Sequence, residues 1–252
     1  MDESGIHIVQ HKIPGSTNTI VFLHDSLGCV ALWRDFPQKM AEASRADAFI
    51  YDRLGYGSSA PFPSSDPRQV NYMETEADLL ITLLDKYNIS NPILFGHSDG
   101  GTIALLAAAK WPGIIKAVIT EGAHVFVEEE TLEGILRTRE QYHITNLKER
   151  LEKYHGTKTP ALFDAWTETW LSPAYRSWNI EHFLPEITCP VLAIQGVEDE
   201  FGTLAQVQSI VNQVSGPADM YMVVNAGHSP HKQSELWVIN QCCSFLEKHK
   251  LL

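Results

Sequence analysis

Basic residues are scarce in this chain. Lys and Arg number 19 against 31 Asp and Glu, a formal charge of −12. So acidic a surface offers no electrostatic footprint for nucleic acid and none for an anionic membrane. No apolar run is long enough to span a bilayer. The first residues, Met1-Asp2-Glu3-Ser4-Gly5, are acidic and lack the basic stretch and apolar core of a signal peptide. Cysteine is sparse. Cys29, Cys189, Cys242 and Cys243 form no Cys-x-x-Cys pair, so free, buried thiols in a reducing cytoplasm are expected. His228 and His231 stand close in sequence, but Pro230 intervenes and no carboxylate or thiol lies nearby at ligand spacing. Neither a metal nor a cofactor is expected.

What is present is an ordinary globular balance. The 252 residues are 44% hydrophobic and 20% charged, without repeats or low-complexity linkers. Thr19–Leu23 is a continuous apolar run, as expected of a strand covered on both faces, Ala48–Tyr51 reads as the next buried strand, and further strands are expected at Ile93–Phe95, Ile114–Thr120, Val191–Ile194 and Met220–Val224. Ile6–His11 alternates and reads as an edge strand. Helical spacing appears over Ala31–Ala43, Tyr72–Tyr87, Thr203–Val214 and Gln233–Lys248. Ala60–Asn71, rich in Pro and Ser, reads as a surface loop. From Gly122 to Ile187 the alternation stops, and the segment becomes helical, first charged and then aromatic. Strands alternating with helices imply a doubly wound, mainly parallel sheet. The expected division is a core of residues 1–121 and 188–252, with residues 122–187 inserted as a helical cap.

Within this frame Gly96-His97-Ser98-Asp99-Gly100-Gly101 falls between a strand and a helix. Gly-x-Ser-x-Gly is a weak pattern alone, but strand, sharp turn and helix make it a nucleophile elbow. The glycines let strand and helix approach, and the helix N-terminus turns free N–H groups towards any oxyanion formed at Ser98. Catalytic groups of open α/β sheets collect beyond the carboxyl ends of the strands. There stand Ser98, then Gly196-Val197-Glu198-Asp199-Glu200, then Ala226-Gly227-His228. A serine nucleophile needs a base, and a neutral imidazole needs a carboxylate to fix its tautomer. Glu121, at the end of another strand, competes with Asp199 for the last role.

Over nearly its whole length the chain resembles the α/β-hydrolase fold family. Leu23-His24-Asp25-Ser26-Leu27-Gly28 is similar to the family's oxyanion loop, and Asp52-Arg53-Leu54-Gly55-Tyr56-Gly57-Ser58 to its Asp-x-x-Gly-x-Gly-x-Ser turn. The resemblance implies Ser98 as nucleophile, Asp199 as acid and His228 as base, with the N–H groups of Asp99 and Ser26 as oxyanion hole. Where members often carry His-Gly, this chain has His24-Asp25. Asp tolerates a left-handed backbone well enough to keep that turn. An Asn-Ser-Leu-Gly run in the family's enol-lactonases is similar here.

His24 and His97 flank motifs and read as hydrogen-bonding scaffold. Asp99 is either a helix-end charge, adding about 0.3–1 kcal/mol, or a pocket group for a substrate ammonium. Its surroundings resemble those in valacyclovir-hydrolase-like members, which act on amino-acid esters. Asp25, Asp99, Trp166, Trp170 and Trp178 are the expected substrate contacts. The function implied is that of a cytoplasmic serine hydrolase of a small carboxylic ester. Lactone, C–C, amide, thioester or amino-acid ester cleavage stay open on the same scaffold, as does a receptor without turnover. The expected partner is a small ester-like molecule, neither nucleic acid nor membrane. The oligomeric state is not legible.

Overall fold

A computed structural model describes residues 5–63 and 67–252. The N-terminal reading at Met1–Ser4 and the middle of the 60–71 loop lie outside the described residues. Seven strands form one sheet in the order β1-β3-β2-β4-β5-β6-β7. They are β1 (Ile8–His11), β2 (Thr19–Leu23), β3 (Asp47–Tyr51), β4 (Ile93–His97), β5 (Ala117–Glu121), β6 (Val191–Gly196) and β7 (Ala218–Val223). Only the edge strand β1 pairs antiparallel; every other pairing is parallel.

The central strands β2, β3 and β4 read as apolar runs because successive side chains feed two different cores, whereas β7 is half-buried. Val21, Leu23, Phe49, Tyr51 and Leu94 face one, with α2 (Tyr72–Lys86), α3 (Asp99–Lys110) and α7 (Leu204–Gln213). Ile20, Phe22, Ala48, Ile50, Ile93 and Phe95 face the other, with α1 (Phe36–Ser44) and α9 (Glu235–Lys248). A short α8 (Pro230–Gln233) precedes α9. Three helices, α4 (Glu129–Ile144), α5 (Leu147–His155) and α6 (Thr159–Leu171), come between β5 and β6. Phe163 stacks on Tyr142 there, ring centroids 3.8 Å apart. No helix among the described residues is long and apolar enough to cross a membrane.

The strands expected at Ile6–His11 and Met220–Val224 run Ile8–His11 and Ala218–Val223, and larger changes fall in three places. The helix expected over Ala31–Ala43 is a 3-10 turn, Val30–Trp33, then α1. Arg34 between them has φ 53°, which breaks the helix. The strand expected from Ile114 starts at Ala117, since Ile114 is an exposed turn residue after Gly113. The helix expected over Gln233–Lys248 breaks at Ser234 into α8 and α9.

Candidate active site

Ser98 sits between β4 and α3 with φ 54° and ψ −121°, a backbone region that costs a non-glycine residue of order 1–3 kcal/mol. A Cβ on Gly96 would stand 2.2 Å from the Gly100 carbonyl oxygen, and one on Gly100 would stand 2.0 Å from that of Leu23. Backbone cannot yield at such distances, so both positions require glycine. The Ser98 N–H donates to the Glu121 carbonyl at 2.8 Å, and its own carbonyl accepts from Gly101 and Thr102.

The loop after β6 brings Asp199 to His228 from the loop after β7. His228 Nδ1 donates to Asp199 Oδ1 at 2.9 Å and lies 3.0 Å from Oδ2. Burial raises the Asp199 carboxyl, but the His228 ring beside it outweighs that and holds it below its usual range. Burial likewise pushes His228 down, and Asp199 outweighs it, so the imidazole lies above its usual value; Glu200 and Asp25 add to this. Glu121 has another partner. Both its oxygens take hydrogen bonds from His231, one from the backbone N–H at 2.6 Å and one from Nδ1.

His97 Nε2 donates to the His228 carbonyl at 2.8 Å, which fixes the loop that carries His228. Atoms of His97, Glu121 and His231 lie within 4.8 Å of one another, the one group of metal-compatible side chains among the described residues. Their hydrogen bonds to one another and to His228 already occupy the Glu121 oxygens, His231 Nδ1 and His97 Nε2. The donor set is that of a hydrogen-bonded scaffold.

Ser98 and His228 open onto one cavity of about 180 Å³, which Asp25, Ser26, Asp99, Trp166 and Trp170 also line. Asp99 is the first residue of α3, so its N–H has no intrahelical acceptor. The turn carrying Ser26 is closed by Gly28 N–H to the Asp25 carbonyl, 3.2 Å. Arg53 Nη2 reaches the same carbonyl at 2.9 Å and His24 Nδ1 at 2.8 Å. Asp25 is not among the residues with positive φ, so the left-handed turn expected at His24-Asp25 does not form. Backbone acceptors anchored by Arg53 and His24 stabilise the loop instead.

The Asp99 side chain is 1% exposed and turned to protein groups. Tyr72 OH donates to Oδ2 at 2.8 Å, and Arg53 Nη1 lies 3.6 Å from the same oxygen. Oδ1 has no partner among the described residues. Trp178 is absent from the cavity wall. It stacks on Tyr175 (centroids 5.2 Å, 9° between planes) and belongs to the core.

His124 in the cavity wall and the contacts of His155 and Lys158 had no sequence signal. His124 lines the cavity from the loop after β5. His155, ending α5, accepts from Gly57 N–H at Nδ1 (2.9 Å) and donates from Nε2 to the Leu27 carbonyl (3.0 Å). Lys158 Nζ donates to the carbonyls of Tyr56 (3.1 Å), Gly57 (2.7 Å) and Ser59. The segment between β5 and β6 is thus tied to the turn after β3 and to the loop carrying Ser26. A larger cleft of about 750 Å³, on another side of α6, is lined by Phe62, Arg68, Tyr72 and Glu168 and does not include Ser98.

The serine hydrolase BPHL of Mus musculus is 25% identical over 237 residues, covering 90% of this chain and 79% of its own. A 2-succinyl-6-hydroxy-2,4-cyclohexadiene-1-carboxylate synthase of Escherichia coli O1:K1 / APEC is 33% identical over 115 residues, 46% of this chain and 42% of that one. Among solved structures, the enol-lactonase of Burkholderia xenovorans LB400 superposes with a TM-score of 0.76 at 17% identity, covering 96% of each chain. A family model described as alpha/beta hydrolase fold matches residues 18–180. The sheet order, the turn at Ser98 and these matches agree: the chain belongs to the α/β-hydrolase fold family.

Proposed function

We propose that this hydrolase cleaves small carboxylic esters with Ser98 as nucleophile, His228 as base and Asp199 as the acid that orients it. The observation that carries this reading is the hydrogen bond of His228 Nδ1 to Asp199, at 2.9 Å, with His228 and Ser98, on its strained turn, lining one cavity. Asp199 fixes the tautomer that leaves Nε2 unprotonated to take the Ser98 proton. Ser98 Oγ then bonds to the ester carbonyl carbon. The oxyanion rests on the N–H groups of Asp99 and Ser26. The C–O bond breaks as the imidazolium protonates the departing alcohol. Water, deprotonated by His228, cleaves the acyl-enzyme and releases acid and Ser98. Residues 122–187 act as a cap, with Trp166 and Trp170 closing the acyl side.

A volume of about 180 Å³, below the range of drug-sized pockets, favours a short acyl group. The acidic wall disfavours anionic substrates. Asp99 is already matched by Arg53, which weakens its case as the counter-charge of an ammonium and favours an uncharged ester.

A fluorophosphonate probe together with p-nitrophenyl esters of increasing acyl length tests the reading. Wild type should label and turn over short esters, and Ser98→Ala should do neither. A wild type that labels but ignores every ester points to lactone or C–C substrates. One that resists labelling as well points to a receptor.

A further inference from the structure

Two spaces lie against α6, and a single layer of side chains keeps them apart. Trp166 and Trp170, one helical turn apart, line the Ser98 cavity of about 180 Å³. Ala161, Ala165, Glu168 and Thr169 recur at helical spacing and line the far larger cleft of about 750 Å³. Tyr72, Thr75 and Glu76 of α2 stand across that cleft from them. The layer between the two spaces joins three helices. Trp170 Nε1 of α6 donates to the Tyr72 hydroxyl at 3.1 Å, and that hydroxyl of α2 donates to Asp99 Oδ2 of α3 at 2.8 Å. An indole N–H only donates and a carboxylate only accepts, so the chain runs in one direction.

Trp170 and Asp99 belong to the cavity wall, whereas Tyr72 belongs to the cleft wall and is absent from that of the cavity. The Tyr72 hydroxyl thus meets the back of the cavity while the residue itself borders the cleft. The partition is one residue thick. It is also held shut. All three side chains are buried, the Arg68 guanidinium lies 4.6 Å over the Tyr72 ring, and Tyr175 stacks against the ring at 6.5 Å. Opening the layer strands buried polar groups at about 1–3 kcal/mol each. Resting on the ester-hydrolase reading, we propose that Tyr72 is a specificity residue. Its ring, fixed by Trp170 and Asp99, ends the Ser98 cavity and restricts the enzyme to short esters. The cleft behind it is a latent extension that a longer hydrocarbon chain enters once the ring is gone. Asp164 and Glu168 on the exposed side of the cleft suit an uncharged chain rather than an anionic one.

The test measures kcat/KM in two homologous series, p-nitrophenyl esters from acetate to octanoate and acetate esters from ethyl to octyl, per fluorophosphonate-labelled enzyme. The readout is the long-to-short ratio within a series, which cancels any loss common to all esters, such as a disturbed Asp99. In wild type the ratio should be low in at least one series. Tyr72→Ala should raise it about ten-fold or more, and Tyr72→Phe, which keeps the ring, should raise it less. Trp170→Ala removes the other half of the partition and serves where Tyr72→Ala does not fold. Adding Ala165→Phe, which fills the cleft from α6, should abolish the gain in either background. A gain that survives this addition overturns the proposal, because the longer chain then lies elsewhere. An unchanged ratio in labelled Tyr72→Ala or Trp170→Ala overturns it too, as does a wild type that accepts long chains in both series. A response in the alcohol series alone upholds the partition and sets the alcohol against it. Failure of wild type to label is a different result, since it removes the hydrolase reading itself.

Discussion

At His228 burial and charge pull in opposite directions, and charge wins. Asp199 provides most of the counter-pull, with Glu200 and Asp25 behind it. A base works only when neutral, so activity should fall on the acid side through a pKa above the ordinary histidine value of about 6.5. Glu200→Gln removes one of the carboxylates that favour the imidazolium. It should therefore move the acid limb of kcat/KM to lower pH and leave the plateau in place. A pH–rate profile checks this, and a limb that stays or moves up contradicts the assignment of His228. The same residue scale explains what the sequence could not disclose. Asp199 follows β6 and Glu121 ends β5, and both precede a histidine that could use them. Only the fold decides that His231 takes Glu121 and His228 takes Asp199.

At the scale of elements, that division of partners separates chemistry from stability. Asp199→Asn should keep its fold and lose about 10⁴-fold in kcat, because the imidazole tautomer is no longer fixed. Glu121→Gln replaces a buried carboxylate at the carboxyl end of β5 that takes two hydrogen bonds from His231, whose ring burial holds below its usual pKa, and should cost about 1–3 kcal/mol of stability. His231 helps to hold the Glu121 carboxyl below its usual range against burial. The stability from this pair is therefore present above the unfolded carboxylate pKa and is lost as pH falls through the depressed folded value. Thermal melts and turnover on both variants tell the two roles apart. Buried parallel strands were legible because both faces are covered, so the apolar runs carry no polar interruptions. Their edges were not: Ile114 is as apolar as Ile119 but sits exposed in the turn after Gly113. The break at Arg34 lacks a glycine to announce it. Trp178 belonged by composition to a pocket and by position to the core, a difference that only packing resolves.

For the whole molecule, the five motifs in chain order were enough to indicate the family, since each is a local solution to a local problem of turn or charge. Contacts between distant segments left no such trace. His155 reaches across 128 positions to Leu27, and Lys158 across about one hundred to the turn at Tyr56–Ser59. His155→Phe should lower kcat/KM for short esters by about ten-fold or more, part of what removing an oxyanion donor costs. It should leave the pH of the acid limb unmoved, since His228 does not feel that ring. A purely structural role would lower the melting temperature and spare turnover per labelled enzyme.

The clamp at Lys158 has a mechanical meaning. The same ammonium that holds the inserted helices down also bears on the turn behind the Ser26 loop, where Gly57 and Leu27 meet His155. On the proposed reading, a swing of those helices to admit a bulky substrate would release these contacts and loosen the loop carrying Ser26 in the same movement. If Ser98 and the Ser26 loop act as proposed, entry and chemical competence are geared together: an open enzyme would be disarmed, and only a substrate that fits beneath the closed helices would meet a nucleophile ready to act.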